Sequence, residues 1–443
     1  VVLIELAMVG VGDVTTRALL LIPAIGLVAV ASLATKVARF DGRWIFNRAL
    51  VVGLVVGIGV YGSTLANALQ PDAIGDHLLV AVLVLLVGGA GFAAALRPHN
   101  NRAWYAMLGF WTLGVTTMLI ATSRSGLFVD SLMFQEVAID ALLQGMNPFT
   151  LTYIDIYEPA VSAMVYGQGV SVDGMLQFGY PYMPLSLLVA TPFDVVLGDI
   201  RFVFGLAVLA AGIMMSRLGH VPIARPVAVA FLLAVPHLKL VRFGWVDGLV
   251  VAGAVGWLLV TMHSSRLSSY ASGVVFALKQ YSAVLVVPSL LAMERPWRVR
   301  DVAAHFARAA LVFAVFTVPF AAWDFPSFYR SVVELQFLQP FRPDSLSIPA
   351  LLGDSYAEAP AWSTTLLLVV VVVVASVLVA LRTPTGVQGM ALASGFVLLV
   401  TFAFSKQAFG NYYSVAMAFL CAAAATAEPV AEPAEASEYA STA

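Results

Sequence analysis

The chain has 443 residues, 61% of them hydrophobic and 11% charged, with a formal net charge of -2. Soluble domains run at about 45–50% apolar and about 25% charged residues, so with a mean hydropathy of +0.93 an ordinary soluble globular domain is excluded. The charge balance gives no basis for a nucleic-acid partner, and the single cysteine, Cys421, excludes a disulfide framework or a cysteine metal site.

Apolar runs of roughly 20 residues recur between short polar stretches, the pattern of a polytopic transmembrane helical bundle. The runs are continuous rather than alternating, so the expected fold is all-α and not a β-barrel. Residues 1–12 are apolar but too short to span, and no small-residue cleavage site marks a signal peptide. A first span over 18–35 is followed by Lys36, Arg39, Arg43 and Arg48, a cytoplasmic loop by the positive-inside bias. A span over 49–69 leads out to the acidic stretch 71–76. One over 78–96 returns to Arg97, His99 and Arg102, and one over 104–122 leads out again. The loop 123–182 is acidic, with Asp130, Glu136, Asp140, Asp155, Glu158 and Asp173 against Arg124 alone, and reads as extracytoplasmic.

Beyond it, spans are expected over 183–198 and 202–216, with a short, re-entrant run at 226–236 and a span over 247–262. The run 271–293 is broken at Lys279-Gln280-Tyr281 and has arginines at both ends, as two half-helices meeting at a lysine would. A span over 303–320, a mixed loop 321–362, and spans over 363–381, 388–404 and 412–426 complete roughly twelve or thirteen helices. Residues 427–443, rich in Ala, Glu, Pro and Ser, read as a disordered tail. No internal repeat is evident, which weighs against an inverted-repeat transporter.

The longest polar break opens at 128–149. A helix over 129–144, stopped by Gly145-Met146-Asn147-Pro148, would place Asp130, Met133, Phe134, Val137 and Ala141 on one face. Glu136 and Asp140 fall as an i,i+4 pair on another flank. Such a helix lies flat at a membrane interface. Asp130, at the end of the apolar stripe, either caps the helix or serves as a desolvated base that takes a proton from a hydroxyl.

An Asp after an outward span, an amphipathic helix and Ala141-Leu142-Leu143-Gln144-Gly145-Met146-Asn147-Pro148-Phe149 together resemble the first external loop of the C-type superfamily of membrane glycosyltransferases. Tyr180-Pro181-Tyr182-Met183-Pro184-Leu185 is similar to a segment of its polyprenyl-phosphate-mannose-dependent mannosyltransferases. So are Gly244-Trp245-Val246-Asp247, Ala277-Leu278-Lys279-Gln280-Tyr281 and the run from Ser405 through Lys406 and Asn411-Tyr412 to Tyr413. The likeness covers 104–426, in order, with 1–103 as additional N-terminal helices. No adjacent acidic pair stands at Asp130, which leaves Glu136 and Asp140 as candidate partner carboxylates.

The resemblance implies transfer of a hexose, most in keeping mannose, from a polyprenyl-phosphate donor to a hydroxyl of a lipid, glycan or protein acceptor, with inversion. Asp130 would be the base, with Glu136 beside it. Intramembrane cations are costly and face cavities, so Lys279, Arg242 and Lys406 are the candidates for the leaving phosphate, with His237 and Lys239 behind them. Arg242 and Lys239 also fit simple snorkelling. Asp140, Asn147, Tyr180, Tyr182, Trp245, Asp247, Gln280, Tyr281, Asn411 and Tyr412 are candidate substrate contacts, although the aromatic members also suit an interfacial belt. No cofactor is required. A divalent metal on Asp130 and Glu136 would suit their oxygen ligands, but a lysine-held monophosphate needs none. The six histidines have no ligand spacing, and phosphate-cradling loops are lacking. The competing reading is a transporter or flippase of lipid-linked sugars, followed by an envelope ligase or acyltransferase.

Overall fold

The computed structural model describes residues 42–69, 74–124 and 129–427. The expected span at 18–35, the basic residues Lys36 and Arg39, part of the acidic exit 71–76, Phe128 and the tail from 428 lie outside the described residues.

The described residues form a helical bundle with one small sheet. Helices α1 (Gly42–Leu69), α2 (Ile74–Leu96) and α3 (Asn101–Arg124) pack side by side. Helices α4 (Asp130–Leu143) and α5 (Pro159–Tyr166) follow in the polar loop. With them lies an antiparallel sheet of two-residue strands, β1 (Tyr153–Ile154), β2 (Ser171–Val172) and β3 (Met175–Leu176), in the order β1-β3-β2. Asp173 and Gly174, both at positive φ, turn β2 into β3, the backbone that a tight two-residue hairpin demands.

Helices α6 (Pro184–Leu197) and α7 (Arg201–Met215) meet at a bend of 115°. Arg201 fixes that corner, donating to Asp199 at 2.7 Å, to Thr122 at 2.7 Å and to Ser123 at 2.6 Å. Then come α8 (Val221–Leu233), α9 (Val235–Arg242), α10 (Asp247–His263) and α11 (Ser265–Phe276). The chain extends at Lys279 and resumes as 3-10 turns over Gln280–Leu285 and Pro288–Ala292. The expected break at the lysine is there, although its second half is 3-10 rather than α. Helix α12 (Val299–Trp323) leads to a helical stretch over 325–338, and α13 (Ala361–Arg382), α14 (Val387–Ala403) and α15 (Gly410–Ala425) end the fold.

Helices α14 and α15 are buried along nearly their whole length and pack with α8 and α10 at the centre. By contrast, α12 and α13 bury few of their apolar side chains. Burial thus separates helices that pack on protein from helices that leave much of their apolar surface uncovered.

Among the described residues, five helices are long and apolar enough to cross a membrane, or seven if each of two bent pairs counts once. This is fewer than the twelve or thirteen read from hydropathy. Several apolar runs end after 13 to 17 residues, as α8, α10 and α14 do; at 1.5 Å per residue these are short of a bilayer core about 30 Å thick.

Candidate functional site

Helix α4 starts one residue inside the expected bounds. Val129, not Asp130, is its N-cap, and no side chain caps it. Asp130 is therefore the first helical residue, where a carboxylate is favoured by the helix dipole. Its carboxylate accepts from the Tyr166 hydroxyl at 2.9 Å and from the Ser131 backbone N–H at 2.6 Å. Burial, then the charge of Asp130, pushes the Tyr157 hydroxyl up to about 12 and the Tyr166 hydroxyl higher. Both phenols remain protonated donors at neutral pH. Tyr166 is held by a compact aromatic cluster: Phe134 lies 4.7 Å from Tyr153 and 5.4 Å from Phe178, and Tyr166 lies 5.7 Å from Phe178.

The buried face of α4 is Ser131, Leu132, Phe134, Gln135, Ala138 and Ile139, with Met133 and Ala141. Val137 is exposed, which corrects the expected stripe. The face is set by a docking partner that periodicity does not see. Gln135 donates to the Gly244 carbonyl at 2.7 Å, and Leu132 packs on Gly244, where a Cβ would stand 2.8 Å from its Cδ1. Gly244 also has φ +63°, so both its conformation and its neighbour require glycine. This joint brings the Asp130 helix against the loop that carries Trp245 and Asp247.

Asp247 is fully buried and fully engaged. It pairs with Lys279 Nζ at 2.7 Å and accepts from the Tyr281 hydroxyl at 2.6 Å and from Asn411 Nδ2 at 2.9 Å. Lys279 sits among three tyrosine rings, 4.9 Å from Tyr412, 5.2 Å from Tyr281 and 5.4 Å from Tyr182. Those ring faces favour a desolvated ammonium. Four polar interruptions that are far apart in sequence thus meet at one point.

A cavity of about 200 Å³ is lined by Asp130, Tyr166, Tyr182, Trp245, Lys279, Arg342 and Asn411. A second, of about 250 Å³, is lined by Lys279, Tyr281, Lys406 and Tyr356, and by Thr364, Thr365 and Leu368 of α13. The two share Lys279, Gln280, Gln336, Gln339, Gln407 and Tyr412 as wall residues. Gln280 ties this wall together, donating to the carbonyls of Pro181 at 2.7 Å and Val332 at 3.2 Å. Lys406 donates to the Phe337 carbonyl at 3.2 Å and to that of Gln339, and burial pulls its ammonium below the usual lysine range.

Arg342 is a cation that sequence reasoning left in the mixed loop. It makes a two-pronged ion pair with Asp344 at 2.7 Å, lies 5.1 Å from the Phe409 ring, and borders the Asp130 cavity. Its signal was faint: a single arginine between Phe341 and Pro343 in a loop whose docking partner lies 64 residues away, where its backbone N–H reaches the Lys406 carbonyl.

Other expected contacts fall elsewhere. Glu136 and Asp140 are exposed on the far side of α4. Burial first, then Asp199 and Asp194, pushes Glu136 above the usual carboxylate range. Asp130 and Glu136 therefore do not converge as a pair. Arg242 points to the Asn67 carbonyl at 3.1 Å and to the Phe243 ring, away from both cavities. Its position in the last turn of α9 aims it along the helix end. Asn147 is buried and accepts from the Phe149 N–H at 3.0 Å, so it caps a turn. Tyr180 is a core residue whose hydroxyl meets Ser186 at 2.8 Å. His237 is buried with Nδ1 at the Phe231 carbonyl. Among the described residues, no group of three or more His, Cys, Asp or Glu side chains is placed to hold a metal ion.

The site therefore offers a hydrogen-bonded carboxylate and a caged ammonium that line one cavity, with aromatic rings among its walls. No protein-family model matches the chain, and neither a curated protein nor a solved structure is significantly similar to it.

Proposed function

We propose that the chain is a multi-pass membrane glycosyltransferase that moves a hexose from a polyprenyl-phosphate donor to an acceptor hydroxyl on the extracytoplasmic side. What carries this reading is that Asp130 and Lys279 line one cavity, joined through a shared wall to a second that carries Lys406 and reaches α13. Helix α13 exposes leucines and valines along its length, a surface suited to lipid. A donor can then keep its chain in lipid while its sugar enters the polar cavity.

In the proposed step Asp130 takes the acceptor hydroxyl proton as the oxygen attacks the anomeric carbon. The bond from that carbon to the phosphate oxygen breaks in line, its electron pair leaves with the polyprenyl phosphate, and the centre inverts. Lys279 stabilises the departing charge. Among the described residues its one hydrogen-bond acceptor is Asp247, so two of its three N–H donors are free for phosphate oxygens. Arg342 and Lys406 add positive potential from either side. Mannose is the sugar most in keeping with the resemblance in the sequence.

The test is transfer from a radiolabelled polyprenyl-phosphate mannose in membranes containing the full chain. Asp130→Asn should lower turnover by about 10²–10⁴-fold, the range for loss of a general base, with the protein folded and inserted. Equal turnover would sink the role of Asp130. A flippase would instead move the intact donor across sealed vesicles without forming a new glycosidic bond.

A further inference from the structure

A cavity of about 550 Å³, larger than either cavity of the candidate site, opens at the other end of the long helix α12. It is lined by Arg266 and Ser269 of α11, Glu294 of the connecting loop, and Asp301 and Arg308 of α12. Trp323, at the opposite end of α12, lies beside Phe320, whose ring contacts Phe149 of the polar loop. At 1.5 Å per residue the two ends of this 25-residue helix are about 36 Å apart, so the cavity belongs to the opposite face of the bundle.

One observation points to a ligand. Four charges, two of each sign, line one concavity, yet among the described residues none of them is ion-paired with another. Opposite charges in contact would close the space, and held apart they leave room for a bridging ion of both signs. The floor is also rigid. His305 is fully buried and bonds Ser269 Oγ at 2.9 Å and Ser289 Oγ at 2.9 Å, joining α11, α12 and the 3-10 turn. The Gly386 N–H ties the last loop to the Leu291 carbonyl at 2.7 Å. This end also carries Arg295, Arg298, Arg300 and Arg382, the excess that marks a cytoplasmic interface.

We infer that this cavity binds the zwitterionic phosphoethanolamine headgroup of a phospholipid of the inner leaflet. Arg266 and Arg308 take the phosphate, for which the guanidinium fork is suited. Glu294 and Asp301 accept hydrogen bonds from the primary ammonium. A choline headgroup has no N–H to donate, and a glycerol headgroup has no cation. The inference rests on the bundle crossing a membrane and is independent of the chemistry at Asp130.

The test uses the purified full chain in detergent, titrated with phosphatidylethanolamine, phosphatidylcholine and phosphatidylglycerol of identical acyl chains and read by native mass spectrometry. Phosphatidylethanolamine should be retained about tenfold better than the other two. Arg308→Gln and Glu294→Gln should each weaken that retention about tenfold, as expected for one charge-assisted hydrogen bond. Soluble phosphoethanolamine serves as a second arm, read by thermal shift. A shift that either variant abolishes supports the headgroup chemistry without acyl chains. Equal retention of the three lipids, or variants that bind like the parent, would overturn it. Glu294 is exposed, so its variant keeps the test readable if Arg308→Gln fails to fold. Glycosyl transfer measured in parallel stays unchanged in Glu294→Gln whichever way the lipid result falls.

Discussion

Lys279 is a buried charge, costly to the fold, and the one that the proposed chemistry needs. Removing one member of a buried ion pair strands the other, at a cost of about 3–5 kcal/mol. Lys279→Met should therefore lower the Tm as well as turnover, because Asp247 is left charged and fully buried with only Tyr281 and Asn411 as partners. Lys279→Met combined with Asp247→Asn removes both charges and should recover most of the Tm but none of the turnover. If the double variant regains transfer, Lys279 is a structural ion and not a phosphate ligand. Glu136 is the contrasting case. Exposed at its surface yet partly desolvated where it lies along α4, its carboxyl is pushed up by that desolvation and by the charges of Asp199 and Asp194, so its ionisation opposes folding. That cost is full above the folded pKa and vanishes below the unfolded value of about 4.3. Glu136→Gln should then raise the Tm at pH 7, lose the gain as the pH falls through 4, and leave turnover intact. Reduced turnover in that variant would return Glu136 to the chemistry.

At the scale of elements, the loop helix was legible because its signals are local: an Asp-led apolar stripe and a Gly145-to-Pro148 stop fix α4 to within a residue at each end. Its buried face was not, since Val137 and Gln135 exchange roles according to what docks there, and that is Gly244, about a hundred residues on. The break at Lys279 was readable for the same local reason. Arg342, Asn147 and Tyr180 were not, because a polar residue in a loop has no periodicity to say which way it turns. The Gly244 joint is open to direct test. Gly244→Ala forces a Cβ against Leu132 and leaves alanine at φ +63°, where an L-residue costs about 1–2 kcal/mol. The variant should lose stability and turnover together as Asp130 shifts from the cavity. Adding Leu132→Ala removes the clash but not the backbone strain, so it should restore part of the loss. No effect of Gly244→Ala on either readout would mean that the joint does not position α4.

For the whole molecule, the layout assigns opposite faces to two sets of residues. The acidic loop, the small sheet and the Asp130 cavity gather at one end of the bundle, and the arginine-bearing connections at 264–266, 294–300 and 382–386 at the other. The exposed apolar sides of α12 and α13 run between these ends, which fits a membrane crossing with the basic end in the cytoplasm. Orientation can be measured with the buried Cys421 replaced by alanine. A cysteine at Glu158, exposed before α5, should react with an impermeant maleimide from outside intact cells. One at Arg298, exposed at the start of α12, should react only after the membrane is opened. Both side chains are N-cap positions that make no capping hydrogen bond, so neither substitution removes a contact that holds a helix. Labelling of both from outside would contradict a single crossing direction for the bundle. Labelling of Arg298→Cys alone would invert it and put the Asp130 cavity in the cytoplasm, where a nucleotide-linked sugar rather than a lipid-linked one would be the natural donor to test.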